Sequence, residues 1–219
     1  MGNRAVITDT SRTLGIYLHW NGGRDSVEAF VTYCRLKHYR SPATDAPYAL
    51  ARLAQVIANF FGGTLSVGLL PYDVADEDMV GALDNGVYVI GAGWQIVEHL
   101  TPFPSYTEDE VGNLVAHLRA IDAKQPAFEQ LGPIIGAEDV PARELREGDE
   151  VWVYTDYRQV DGRYQGGYVP AFVQGMGDGL VNGTNVVGIP YVDLFEKDGE
   201  ADPKNINNYL LEPTYRKAS

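Results

Sequence analysis

One short run of this chain gathers four kinds of side chain that do chemistry together: His19, Asn21, Arg24 and Asp25, in His19-Trp20-Asn21-Gly22-Gly23-Arg24-Asp25. An imidazole serves as a general base near neutral pH, and a guanidinium grips a phosphate or carboxylate with two N–H groups. If a helix starts here, its free N–H groups add to an anion site. On that reading the chain is a small hydrolase or phosphate-handling enzyme, with His19 as base, Arg24 as anion holder and Asp25 as the nearby carboxylate. A plainer reading uses the same residues. Asp25 and Glu28 have the spacing of a capping box, Asn21-Gly22-Gly23 turns the backbone, and Arg24 is a solvated side chain. The plainer reading is preferred, and Asn21 is kept as a ligand-binding candidate.

The second constellation is aromatic. Trp152, Tyr154 and Tyr168 stand out among the rings of the C-terminal third. Along Val151-Trp152-Val153-Tyr154 alternate side chains face opposite sides of a strand, so one set packs inward and the other faces out. Outward rings on a small β module suit an extended peptide or splayed bases, and the acidic balance of the chain favours the peptide.

Other chemistry lacks its residues. The four histidines, His19, His38, His99 and His117, include no i, i+4 pair, and Cys34 has no cysteine partner, so structural zinc is not expected. Asp73, Asp76, Glu77, Asp78 and Asp84 form an acidic loop without the ligand order of an EF-hand. There is no G-x-S-x-G elbow, Walker loop or dinucleotide fingerprint. Gly15-Ile16-Tyr17 invites comparison with the GIY-YIG nucleases, but the nearest partner motif, Tyr88-Val89-Ile90-Gly91, is far downstream and a turn and helix follow directly. No cofactor and no metal are expected.

These residues need elements to hold them. Arg4–Thr8 and Leu14–Trp20 read as two strands of a hairpin. Val27, Phe30, Val31 and Cys34 then recur as one helical stripe running to about Tyr39. Pro47 suits the first turn of a second helix, Ala49–Phe61, carrying Leu50, Leu53, Ala54, Ile57 and Phe61, and Gly62-Gly63 ends it. Thr64–Leu70 reads as a strand, and Val87–Ile90 with Trp94–His99 as a second hairpin. Thr107 and Glu110 have capping-box spacing ahead of a third helix with Val111, Leu114, Val115 and Leu118. From Leu145 onward, five short strands punctuated by Gly and Asp suggest a small SH3-like or Greek-key β-barrel. The expected fold class is therefore α+β: residues 1–125 form a mixed or antiparallel sheet with about three helices on at least one face, 126–140 a linker, and 141–219 a small all-β module.

Composition sets the outer limits. The chain has 219 residues, 45% hydrophobic and 21% charged, an ordinary globular balance. Its 17 basic and 30 acidic residues give −13. Residues 139–219 hold 8 basic and 14 acidic (−6), and the rest 9 and 16 (−7), so neither part is a basic arm. Generic nucleic-acid binding is not expected, although a local basic patch is compatible with this balance, and an acidic decoy mimicking nucleic acid is a third reading. The N-terminal residues lack a signal-peptide core, no apolar run reaches the roughly 18 residues of a membrane span, and the single cysteine argues against a disulfide scaffold. A cytoplasmic protein without membrane partners is expected.

The opening, Met1-Gly2-Asn3-Arg4-Ala5-Val6-Ile7 followed by Gly15-Ile16-Tyr17-Leu18-His19-Trp20-Asn21-Gly22-Gly23-Arg24-Asp25-Ser26-Val27-Glu28-Ala29-Phe30, resembles a family of uncharacterised bacterial and phage proteins. The resemblance extends to about Leu100. It implies a bacterial or mobile-element setting, and no catalytic residue carries over from it. The expectation is a non-enzymatic binding protein whose protein or peptide partner meets the β module or the His19–Asp25 corner.

Overall fold

The computed structural model describes residues 3–63, 66–71, 77–101, 113–140, 144–160, 163–181, 184–192, 208–209 and 214–216. The chain divides into two compact units, 1–130 and 131–219.

The first unit is built on β1 (Ala5–Asp9), β2 (Leu14–Leu18), β3 (Val67–Pro71), β4 (Val87–Ile90) and β5 (Ile96–Leu100). They form one sheet in the order β3-β2-β1-β4-β5. Only β1 and β4 pair in parallel; the other pairings are antiparallel, so the sheet is mixed. Both expected hairpins are present. Residues 5–9 are all buried, as a central strand covered on both faces must be.

Four α-helices lie among the described residues: α1 (Arg24–Leu36), α2 (Ala46–Phe61), α3 (Glu77–Ala82) and α4 (Leu114–Asp122). The stripe Val27, Phe30, Val31 and Cys34 is buried on α1, and Leu50, Leu53, Val56 and Ile57 on α2. Helices α1, α2 and α4 pack on one another, and α2 also reaches β1 and β3. The other face of the sheet carries Val6 and Val87 with Leu83, against which Tyr17, Leu70, Val80 and Leu100 pack. Gly62, at φ +66°, caps α2 in the left-handed region, where glycine avoids the Cβ penalty, and Pro47 occupies its first turn.

Two local expectations are corrected. The N-cap of α1 is Gly23, with no side-chain cap. Asp25 lies inside the first turn and accepts from Ser26 N–H at 2.7 Å, while Glu28 turns to Arg24 instead of reaching back, so the capping box does not form. Helix α4 begins at the Asn113 cap, whose Oδ1 accepts from Ala116 N–H at 3.1 Å, and it buries Leu118 and Ile121. Thr107, Glu110 and Val111 lie outside the described residues, as do Asp73 and Asp76 of the acidic loop; the end of that loop is helical, as α3.

In the second unit, β6 (Glu138–Val140), β7 (Glu150–Val160), β8 (Arg163–Val181), β9 (Thr184–Val192), β10 (Asn208–Tyr209) and β11 (Thr214–Arg216) form a sheet in the order β10-β9-β8-β7-β11-β6. Short 3-10 turns at 127–129 and 132–134 precede β6. The expected SH3-like or Greek-key barrel is not what the described strands make: the sheet is open, with β10 and β6 at its edges. The reason lies in β8. Its glycines do not interrupt it; they sit at register shifts between Val173 and Gly175 and between Gly177 and Gly179. Glycine inside a strand marks such irregularities as readily as a turn. One 19-residue strand replaces two of the expected short ones. Its first half pairs with β7 and its second with β9. Val140, Leu145, Val151, Val153, Ala171 and Val173 are the core of this unit.

Candidate functional site

The corner singled out by sequence lies where β2 runs into α1, beside the amino ends of β1 and β4. Backbone bonds hold it: His19 N–H donates to Ser66 C=O at 2.9 Å, and Gly22 N–H to Asn3 C=O at 2.9 Å. Asn21 takes a left-handed φ of 54°, which asparagine tolerates better than most residues. Gly22 is required by crowding, since a Cβ there would stand 2.6 Å from the Asn3 carbonyl oxygen.

The functional side chains pair off separately. The exposed His19 imidazole meets the Tyr17 hydroxyl, Nδ1 to Oη 3.0 Å, and stands edge-on to Trp20 with ring centroids 5.0 Å apart. Trp20 is 47% exposed. Arg24 Nε pairs with Glu28 Oε2 at 3.1 Å, one helical turn along. No hydrogen bond or ion pair joins His19 to Arg24 or Asp25 among the described residues. A nucleophile–base–orienter relay needs such contacts.

Two imidazoles that the sequence offered only as unpaired metal ligands come to this corner. His117 of α4 places Nε2 3.8 Å from Asp25 Oδ2. Its Nδ1 is buried without a hydrogen-bond partner among the described residues. His99 of β5 stacks on Tyr88 at 4.0 Å, with the planes 9° apart, and Nε2 lies 2.7 Å from the Asn85 carbonyl oxygen. Burial lowers its pKa, and the charge of Arg24 lowers it further, against the opposing pull of the Asn85 carbonyl. Asn85 Nδ2 donates to Asn3 Oδ1 at 2.6 Å. The register of the second hairpin, with Tyr88 opposite His99, is the sequence signal that could have placed this ring.

In the second unit, Tyr154 and Tyr168 are direct cross-strand partners, as are Trp152 and Pro170. Directly opposed residues share a face, so Trp152, Tyr154, Pro170 and Tyr168 form one surface, opposite the Val151 and Val153 core face. The Tyr154 and Tyr168 rings meet edge to face, 5.5 Å between centroids. Tyr168 is buried; Trp152 and Tyr154 are half-buried.

Among the described residues no cluster of three or more His, Cys, Asp or Glu side chains could hold a metal ion, and no helix is long and apolar enough to cross a membrane. Compared with protein-family models, with curated proteins and with solved structures, the chain matches none.

Proposed function

We propose that the chain is a non-enzymatic binding protein, cytoplasmic and of bacterial or mobile-element origin, whose protein or peptide partner docks on the aromatic corner at the end of β2. The observation that carries this reading is Trp20, an indole nearly half exposed yet braced by His19 and, through it, by Tyr17. Rigid exposed aromatics lose little entropy on binding and dominate the energy of protein interfaces. The Trp152/Tyr154 surface of the second unit is the other aromatic contact this reading includes.

Selection of a displayed random-peptide library on the purified chain tests it. A consensus should enrich, and Trp20→Ala should weaken its binding by at least about tenfold, or roughly 1.4 kcal/mol. An unchanged affinity in Trp20→Ala, or no consensus at all, refutes the docking corner.

A second reading, a small hydrolase or phosphate-handling enzyme, draws on the approach of His117 to Asp25. It is the carboxylate–imidazole pair that an acid–base role for His19 lacks. Hydrolysis of a chromogenic ester or phosphoester that disappears in His117→Gln would favour it over the binding reading.

A further inference from the structure

Between Ala29 and Tyr72 the chain inverts its own charge. The stretch holds Arg35, Lys37, Arg40 and Arg52 and one acidic residue, Asp45, in a protein of net charge −13. Lys37 is buried and neutralised, its Nζ 3.0 Å from Glu129 Oε2. Arg40 and Arg52 are arranged differently. Both guanidiniums gather on one ring, with Cζ 4.9 Å and 5.0 Å from the Tyr48 centroid. The negative face of a tyrosine attracts each cation. The cations also repel each other, because two groups so placed lie within roughly 10 Å, about one Debye length at 0.1 M salt.

The surroundings offset only part of that charge. Asp45 Oδ2 accepts from Arg40 Nη1 at 2.9 Å, while its Oδ1 caps α2 by accepting from Tyr48 N–H at 3.3 Å. Arg52 Nη1 donates to the neutral Gln55 Oε1 at 2.8 Å. Its Nε is buried with no acceptor among the described residues. A guanidinium carries five N–H groups, so among the described residues most of the donors on both arginines remain to be used.

The place is also held firmly. Gly93 N–H donates to Ser41 Oγ at 3.1 Å, and Trp94 Nε1 to the Tyr39 carbonyl oxygen at 2.9 Å. These bonds tie the α1–α2 connection to the turn after β4. That is the carboxyl end of the parallel pair β1 and β4. Trp20 and its corner lie at the opposite end, so this site stands independently of the docking surface proposed above.

We propose that Arg40, Tyr48 and Arg52 form a binding site for a phosphate monoester. Both guanidiniums lie within 5.0 Å of one ring centroid, and an anion that both can reach gains two attractions. A phosphate monoester brings about −1.5 to −2 charges and three acceptor oxygens, enough for donors from two forks. A carboxylate fills one fork only.

The test is isothermal titration of the full chain with phenyl phosphate, with inorganic phosphate, and with acetate as the carboxylate control. Phenyl phosphate should bind, acetate should bind at least about tenfold more weakly, and added salt should weaken the phosphate complex. Arg40→Gln and Arg52→Gln should each lower the affinity for phenyl phosphate about tenfold, and Arg52→Lys, which keeps the charge and loses the fork, severalfold. Circular dichroism checks that the variants fold. Arg40 is 67% exposed, so Arg40→Gln decides the matter even if Arg52→Gln does not fold. The proposal is overturned if phenyl phosphate does not bind, if acetate matches it, if inorganic phosphate alone binds, or if the arginine variants bind as wild type does, which would mean an adventitious ion only.

Discussion

Tyr33 and Tyr39 show what single residues contribute beneath the surface of the first unit. The Tyr33 hydroxyl donates to Asp122 Oδ1 at 2.7 Å, and the Tyr39 hydroxyl to Glu129 Oε2 at 3.2 Å. Burial, reinforced by the Asp122 acceptor, pushes the Tyr33 phenol far above its ordinary value; burial and the charge of Glu129 do the same for Tyr39. Burial alone raises the Cys34 thiol. Each group holds its proton in the folded state beyond the pH at which the unfolded chain releases it. Their contribution is therefore complete below the ordinary thiol and phenol values of 9.0 and 10.0 and drains away as pH rises past them. Tyr33→Phe should lower stability near neutral pH by about 1–3 kcal/mol, because the buried Asp122 loses a donor, and should flatten the alkaline decline. Urea midpoints from neutral to alkaline pH decide this; a variant as stable and as alkali-sensitive as wild type contradicts it. None of these pairings was legible in the sequence, since each joins residues some 90 positions apart. What could be read was the buried stripe that includes Cys34.

At the scale of elements, the parallel pair β1 and β4 is clamped at its amino end. Asp84, ahead of β4, accepts from Arg4 Nε at 2.9 Å and from Arg4 N–H at 3.0 Å. The side-chain bond first, then the backbone bond, hold its pKa at about 2, below the ordinary 3.8. A depressed carboxyl stabilises the fold above its unfolded pKa and ceases to do so as pH falls through the folded one. Asp84→Asn should thus unfold more easily near neutral pH and show a shallower acid decline between about pH 4 and pH 2. Parallel acid profiles for the two proteins would exclude the clamp. The helices and hairpins of this unit were legible because their stripes and turn residues are local. The capping box failed because Asp25 and Glu28 fit the spacing while Gly23, two positions earlier, supplies the extended backbone of the cap. Spacing alone does not fix which residue leaves the helix.

For the whole molecule, the first unit has its own sheet, four α-helices among the described residues, cores on both faces, and a net charge near half the total. A fragment of residues 1–130 should therefore unfold cooperatively, with the helical signal its four helices require. Thermal unfolding followed by circular dichroism tests this, and a broad, non-cooperative melt would show that the unit needs the rest of the chain. The second unit was the harder part to read. Its glycines suit either a turn or an irregular strand, and only pairing on both sides of β8 distinguishes the two. The α+β class survives that ambiguity and the barrel does not.

The position of β11 between β7 and β6 makes the tail a keystone. Among the described strands β6 has no other neighbour in the ladder, so clipping Thr214–Arg216 orphans β6 as well. The outer border of the sheet then shifts inward to β7, where Val151 and Trp152 lose the partners that β11 gave them in an 11-residue strand. A nick of that kind takes the short border strand away and leaves a longer strand as the edge, a template for self-association.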